Sequence, residues 1–312
     1  MKRRKRREPW SRPRLAQCQQ ASFAIGLTTA GAASAGVIRN RFGATALHSA
    51  CNHNAIWSVL RLLVQEYPQL LQARTINGTH AVDALYQAYI STIQGHMCVA
   101  RFVKGEVVED GHLERFWKKV EFLATEYYFW TKSTAATTYR AKEQQQDSSC
   151  SNEADTSIDR NAYVLHGLLR CNVDVNLFKL AVMRSPGSAL ALDSMGNLPL
   201  HVILETRPFI RFNKERQAIV ALIQAAPEAV SKQNHAGNVP LSIAILNKIP
   251  WENGLQEIVN ADMSVVSPYR HAPTGGLYPF QLAATQGGRV AVNTTYQLLC
   301  AHPNLVYSFL TS

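Results

Sequence analysis

The sequence predicts an all-α protein, a helix–turn–helix solenoid of about six repeats over residues 40–312. Three observations carry that expectation. First, a short motif recurs: Gly43-Ala44-Thr45-Ala46-Leu47-His48, Gly196-Asn197-Leu198-Pro199-Leu200-His201, Gly237-Asn238-Val239-Pro240-Leu241-Ser242 and Gly276-Leu277-Tyr278-Pro279-Phe280-Gln281. Second, a proline stands ten residues before a turn glycine at Pro68, Pro186 and Pro227, each time after an apolar run. Third, apolar residues recur at helical spacing between these marks, as at Ile56, Val59, Leu60, Leu63 and Tyr67.

Each position of the motif has a physical reading. The glycine supplies the positive φ that closes a tight turn. The proline three residues on falls in the first turn of a helix, where its missing N–H is not needed. The Leu or Phe after it opens the buried face. The turns fall at 43, 78, 161, 196, 237 and 276, with Asn161 in the glycine's place because Asn tolerates the left-handed region.

Taken in order, residues 1–39 form a basic segment that composition marks as disordered. Residues 1–14 hold eight Lys and Arg against Glu8, so +7 of the chain's +10 lies there. Ala21–Ile38 is rich in small residues. It reads either as a poorly packed helix or as a secretory or transit peptide outline ending in Ala33-Ser34-Ala35. The first repeat follows from Asn40 to about Ala73, its second helix ended by Pro68. Leu70 and Leu71 are then expected in an extended segment. The Gly78 copy is degenerate, with His80 and Ala81 in place of Thr and Pro, yet Val82, Leu85, Tyr86 and Tyr89 keep a helix face.

A long amphipathic helix is expected next, with Leu113, Phe116, Trp117, Val120, Leu123, Tyr127 and Trp130 on one stripe to pack on neighbouring repeats. Residues 132–160, with Gln144-Gln145-Gln146 and few apolar side chains, read as a disordered insertion. The array resumes at Asn161. The residues from Arg207 to Asn213 lengthen a loop between paired helices. At the far end Pro303 repeats the earlier register, and Leu305, Val306, Tyr307, Phe309 and Leu310 read as a cap over the last helix pair or as an interface.

Composition narrows the function classes. Hydrophobic residues make up 46% of 312 and charged residues 17%, which suits a continuous core. The six cysteines, Cys18, Cys51, Cys98, Cys150, Cys171 and Cys300, have no zinc spacing and read as reduced, buried thiols. No apolar run reaches a membrane span. No phosphate loop, nucleophile elbow, H-E-x-x-H or calcium loop occurs, and Glu109-Asp110 beside Gly111 reads as a solvated turn. We therefore expect no enzyme, cofactor or metal, and a cytoplasmic or nuclear location. The basic run Lys2, Arg3, Arg4, Lys5, Arg6 and Arg7 reads as an import signal, as an electrostatic contact for nucleic acid, or as a solvated tail.

These motifs resemble ankyrin repeats, whose signature T-P-L-H-x-A recurs at about 33 residues with a β-turn and two antiparallel helices per unit. Gly43 to Ala50 matches in six of eight positions, and Asp193 and Asn234 stand three residues before their glycines, where the family usually has Asp. The segment Gly276 to Ala284 is similar to a divergent, longer repeat of algal, diatom-like proteins. The resemblance covers roughly 40–312. It implies that His48, His166 and His201, each directly after the motif leucine, tie turns together rather than form a metal or catalytic set. Leu198, Val239 and Tyr278 replace the signature threonine, so its side-chain bond to the histidine is expected to be lost there. The resemblance also implies a non-enzymatic scaffold that binds an unknown protein on the extended concave face of the stacked repeats, with contacts at turn tips and first-helix ends. Those positions are Arg41, Phe42, Ala44, Asn52, His53, Ile76, Asn77, Thr79, Ser194, Met195, Asn197, His235, Ala236 and Asn238. The alternative is a nuclear or nucleic-acid-associated factor that uses the basic tail.

Overall fold

Leu47, His48 and Cys51 share the buried side of a seven-residue helix, α1 (Ala46–Asn52), and Leu60, Leu63 and Val64 that of α2 (Trp57–Glu66). The computed structural model describes residues 38–92, 97–98, 101, 111–143 (backbone only beyond 134), 159–171, 173–208, 214–267, 277–301 and 303. The chain divides into two compact units, Met1–Ala81 and Val82–Ser312. The basic run at 2–7, the segment 21–37, Glu109 and Asp110, Gly276 and the apolar tail from 304 onward lie outside the described residues.

In the first unit, α1 and α2 pack on each other and lead into a 3₁₀ helix, Pro68–Gln72. The extended segment expected after Pro68 is thus helical. Proline at the first helical position fixes φ and lacks an N–H that would have no partner, which favours a tight helical turn over a strand. Leu70 and Leu71 are buried in that turn. A single antiparallel bridge joins Arg74 to His80, and no β-strand occurs among the described residues.

The second unit repeats the arrangement. Helix α3 (Ala81–Ile90) begins at the boundary, and α4 (Gly111–Glu143) follows. The expected stripe of α4 is buried at Leu113, Phe116, Trp117, Val120, Leu123 and Tyr127, while Trp130 is half-buried. Tyr89 of α3 stacks on Phe116 with ring centroids 4.1 Å apart. The helix runs 33 residues, through 132–143, where composition reads as disordered insertion. Alanine, lysine, arginine and glutamate in that stretch have high helix propensity, which outweighs its lack of apolar residues. Residues 144–158 are outside the described set.

Helix pairs then alternate: α5 (Val164–Cys171) with α6 (Val175–Arg184), α7 (Pro199–Thr206) with α8 (Glu215–Ala225), α9 (Pro240–Leu246) with α10 (Leu255–Ala261), and α11 (Pro279–Thr285) with α12 (Gly288–Ala301). First helices neighbour one another in sequence, α5 on α7, α7 on α9 and α9 on α11; second helices do the same, α6 on α8 and α8 on α10. Three more 3₁₀ helices close second helices: Pro186–Leu190, Pro227–Ser231 and Met263–Val266. In the last, Asp262 caps in place of proline, its carboxylate accepting from the Ser264 N–H. Each buries small or apolar side chains, such as Ala189, Ala229 with Val230, and Val265 with Val266.

Close packing sets one position that the sequence pattern does not mark. A Cβ on Gly167 would stand 2.1 Å from the carbonyl oxygen of Ala124, so α5 approaches α4 at a distance only glycine permits. Cys51, Cys98 and Cys171 are buried thiols outside any disulfide, as expected, whereas Cys300 is exposed at the end of α12. Among the described residues no helix is long and apolar enough to cross a membrane.

Candidate functional site

The repeated motif builds one recurrent device, a five-residue turn whose first side chain caps its own backbone. At 40–44, the Asn40 Oδ1 accepts from the N–H groups of Phe42 (2.9 Å) and Ala44 (3.0 Å), and Gly43 N–H donates to Asn40 O (2.9 Å). At 193–197, the Asp193 carboxylate accepts from Met195 (2.8 Å) and Asn197 (2.9 Å). At 234–238, the Asn234 Oδ1 accepts from Ala236 (3.1 Å) and Asn238 (2.9 Å). At 75–79, Thr75 Oγ1 accepts from Thr79 N–H (3.1 Å), so the degenerate copy forms the same turn. The glycines that close them, Gly43, Gly78, Gly196 and Gly237, have φ of 74°, 78°, 71° and 75°. A side chain there would be strained.

Asn161 departs from this scheme. It has no positive φ and sits in a 3₁₀ helix, Arg160–Tyr163, capped by Asp159 through a 3.1 Å bond to the Asn161 N–H. An acidic cap two residues earlier starts a helical turn at once and leaves no left-handed position to fill.

Successive turns are tied to each other. In the first unit Ile76 N–H donates to Phe42 O (3.0 Å), and in the second His235 N–H donates to Met195 O (3.0 Å), in the same register. The Asn234 side-chain N–H also donates to Asn197 Oδ1 (2.8 Å). Buried histidines supply the second tie. Nε2–H of His48 donates to Thr79 O (3.1 Å), that of His166 to Asn197 O (3.1 Å) and that of His201 to Asn238 O (3.2 Å). Each acceptor is the residue after the next turn glycine. The tautomer follows from the other nitrogen. Nδ1 of His48 accepts from Thr45 N–H (3.4 Å) and its hydroxyl (3.0 Å), and Nδ1 of His201 accepts from Leu198 N–H (3.2 Å). Replacement of threonine by Leu198 therefore removes the hydroxyl but keeps the backbone bond. Gln281 imitates the same contact, its Oε1 accepting from Tyr278 N–H (3.0 Å).

Burial holds these imidazoles neutral. It pushes His166 down to about 4 and His80 to about 3, and lowers His48 and His201, in each case against the raising effect of the backbone acceptor. Among the described residues no group of His, Cys, Asp and Glu is arranged to hold a metal ion.

His166 differs in one respect. The 3₁₀ turn before α5 offers no N–H to its Nδ1, which has no partner among the described residues; nor does the phenol of fully buried Tyr128 on α4. The rings lie 5.6 Å apart, beside Tyr163, which stacks on Tyr128 at 4.9 Å. Lys132 Nζ lies over the Tyr128 ring at 4.7 Å, and the Arg170 guanidinium at 5.4 Å.

Arg41, Phe42, Asn52, His53, Ile76, Asn77, Ser194, Met195, His235 and Ala236 are exposed, and Ala44, Thr79 and Asn238 are half-buried. Asn197 is buried at 8% exposure, and both its amide and carbonyl oxygens serve inside the turn ladder. It is a structural residue rather than a contact. His53 caps α1 by donating from Nδ1 to Ser49 O (2.8 Å). Sequence reasoning missed Thr75, although its place three residues before Gly78 marks it, and missed the charge pair that joins the end of α7 to the start of α8. There Arg207, in the left-handed region at φ 48°, donates twice to buried Glu215 (2.9 and 3.0 Å) and reaches Asn247 O (3.5 Å). Asn247 in turn donates to Leu204 O (3.3 Å), which satisfies a carbonyl at the end of α7.

No protein-family model matches the chain, and a search of curated proteins finds no significant match.

Proposed function

We propose that the chain is a non-enzymatic protein-interaction scaffold, an ankyrin-like solenoid of about six repeats that meets its partner with its turn tips. The observation that carries this reading is the pairing of rigid backbone with free side chains at the tips. Ile76 N–H to Phe42 O and His235 N–H to Met195 O fix neighbouring turns, yet Phe42, Ile76 and Met195 are 58%, 76% and 63% exposed. Apolar side chains held open to water on a backbone that cannot collapse over them are suited to burial against another protein. The two ties per turn, one backbone and one histidine, supply the preorganisation that keeps the ordering cost of such binding low.

The test is affinity purification with the full chain and with tip variants Phe42→Asp, Ile76→Asp, Met195→Asp and His235→Asp. Partners retained by the wild type and lost with at least one tip variant support the scaffold. Identical partner sets across all four variants refute it. The nucleic-acid reading rests on residues 2–7, outside the described residues, and the tips lend it no support.

A further inference from the structure

The charge of this chain is divided unevenly between its two units. Residues 1–81 contain twelve Lys and Arg against Glu8 and Glu66, which is +10; the remaining residues hold 32 − 12 = 20 cations and 22 − 2 = 20 anions. The second unit is therefore neutral, and the first carries the whole +10. The imbalance is not confined to the basic run. Among residues 38–81, Arg39, Arg41, Arg61 and Arg74 face a single acid, Glu66.

On the first unit's tips Arg39, Arg41 and Arg74 stand among apolar side chains. Arg41 stacks over the Phe42 ring at 4.6 Å, and Phe42 is joined to Ile76 through the turn-to-turn bond. Arg39 donates to Arg74 O at 2.9 Å, which fixes the approach of the chain to the turn. Ile38, Phe42 and Ile76 are 77%, 58% and 76% exposed. The second unit's tips, Ser194, Met195, His235 and Ala236, offer no cation.

We propose that the Ile38–Phe42 and Ile76 patch is the principal docking surface, and that its partner is a protein segment with apolar side chains set between carboxylates. This rests on the scaffold reading above and adds where the partner binds and its chemistry. Guanidinium groups pair bidentately with carboxylates, and a guanidinium stacked on an aromatic ring keeps that fork presented at low entropic cost. Phosphate backbones would use the arginines and leave Ile38, Phe42 and Ile76 in water. A lipid surface gains in proportion to the apolar area it buries, and three side chains on rigid turns supply little of it.

The experiment uses the full chain and a synthetic peptide alternating glutamate with leucine and phenylalanine. The comparison probes are the lysine-for-glutamate peptide, a DNA duplex and phosphatidylserine vesicles. We expect the glutamate peptide to bind and the lysine peptide not to. Arg41→Glu, and Phe42→Ala with Ile76→Ala, should each weaken binding roughly tenfold, while Val292→Ala, at an exposed apolar side chain of α12, leaves it unchanged. Added salt should weaken it further. Thermal midpoints of the variants check that the fold is kept. Failure of the glutamate peptide to bind, or binding indifferent to Phe42 and Ile76, overturns the proposal. So does DNA or vesicle binding that is lost with the same apolar variants. If partner capture depends on Met195 and His235 but not on Phe42 and Ile76, the scaffold stands and this inference falls. If no tip in either unit matters, both fall.

Discussion

A buried histidine that donates from Nε2 and accepts at Nδ1 has no spare capacity, and this makes His201 a sensitive test of the turn ladder. His201→Ala leaves the Leu198 N–H without its partner and the Asn238 carbonyl with the Asn234 N–H alone, and should cost about 1–3 kcal/mol in denaturant unfolding. His201→Gln should cost clearly less, because Gln281 already makes the first of these contacts at the equivalent place. Acid should act through the same residues. The folded-state values of His166 and His80 lie near 4 and 3, well below the ordinary 6.5, so the unfolded chain binds protons first as pH falls. Stability is then full above about pH 6.5 and declines as the pH falls through 4, because the histidines of the unfolded chain take up protons that the buried ones do not. A pH series of thermal midpoints checks it. A flat profile between 6.5 and 5 would contradict the neutral, buried state. The histidines and their repeat were legible in the sequence. The orphaned Nδ1 of His166 was not, because it follows from the 3₁₀ turn that Asp159 starts, a local choice the repeat pattern hides.

At the level of elements, two contacts set distances that composition does not reveal. Gly167→Ala should push α5 from α4, at a cost of about 1–3 kcal/mol, the range for overfilling a packed site. An unchanged denaturation midpoint would show that the helices part without penalty. Glu215→Gln breaks a nearly buried pair on one side only and leaves Arg207 uncompensated; a loss of about 3 kcal/mol is expected in the same measurement. Helix existence was readable from apolar spacing, as in α4, since one stripe of a helix must be buried. Its length was not. The polar stretch beyond 131 satisfies its backbone within the helix and needs no apolar partner, so a composition rule that asks for burial misjudges it. The buried segment after Pro68 was located correctly and given the wrong conformation, because proline's φ fits both an extended segment and a 3₁₀ turn.

At the scale of the whole chain, order passes from turn to turn within each unit, and amide exchange can read it. Ile76 and His235 have exposed side chains, yet their N–H groups are engaged by the preceding turn, so both amides should exchange more slowly than that of Asn77. Equal exchange at all three would mean the ladder is open in solution. The exposed tips were legible because each lies next to a turn glycine; buried Asn197 was misplaced because its role depends on His166, thirty-one residues earlier. That interval has a consequence for the chain during its synthesis. His48 and His166 each wait 31 residues, and His201 waits 37, for the carbonyl that completes them. At about 5–20 residues per second on the ribosome, each of the three helix pairs that carry such a histidine spends roughly 2–7 seconds with an unfinished imidazole at its growing edge. Such a pair is completed only by the turn that follows it, so within each unit the nascent chain closes one turn behind the point of elongation.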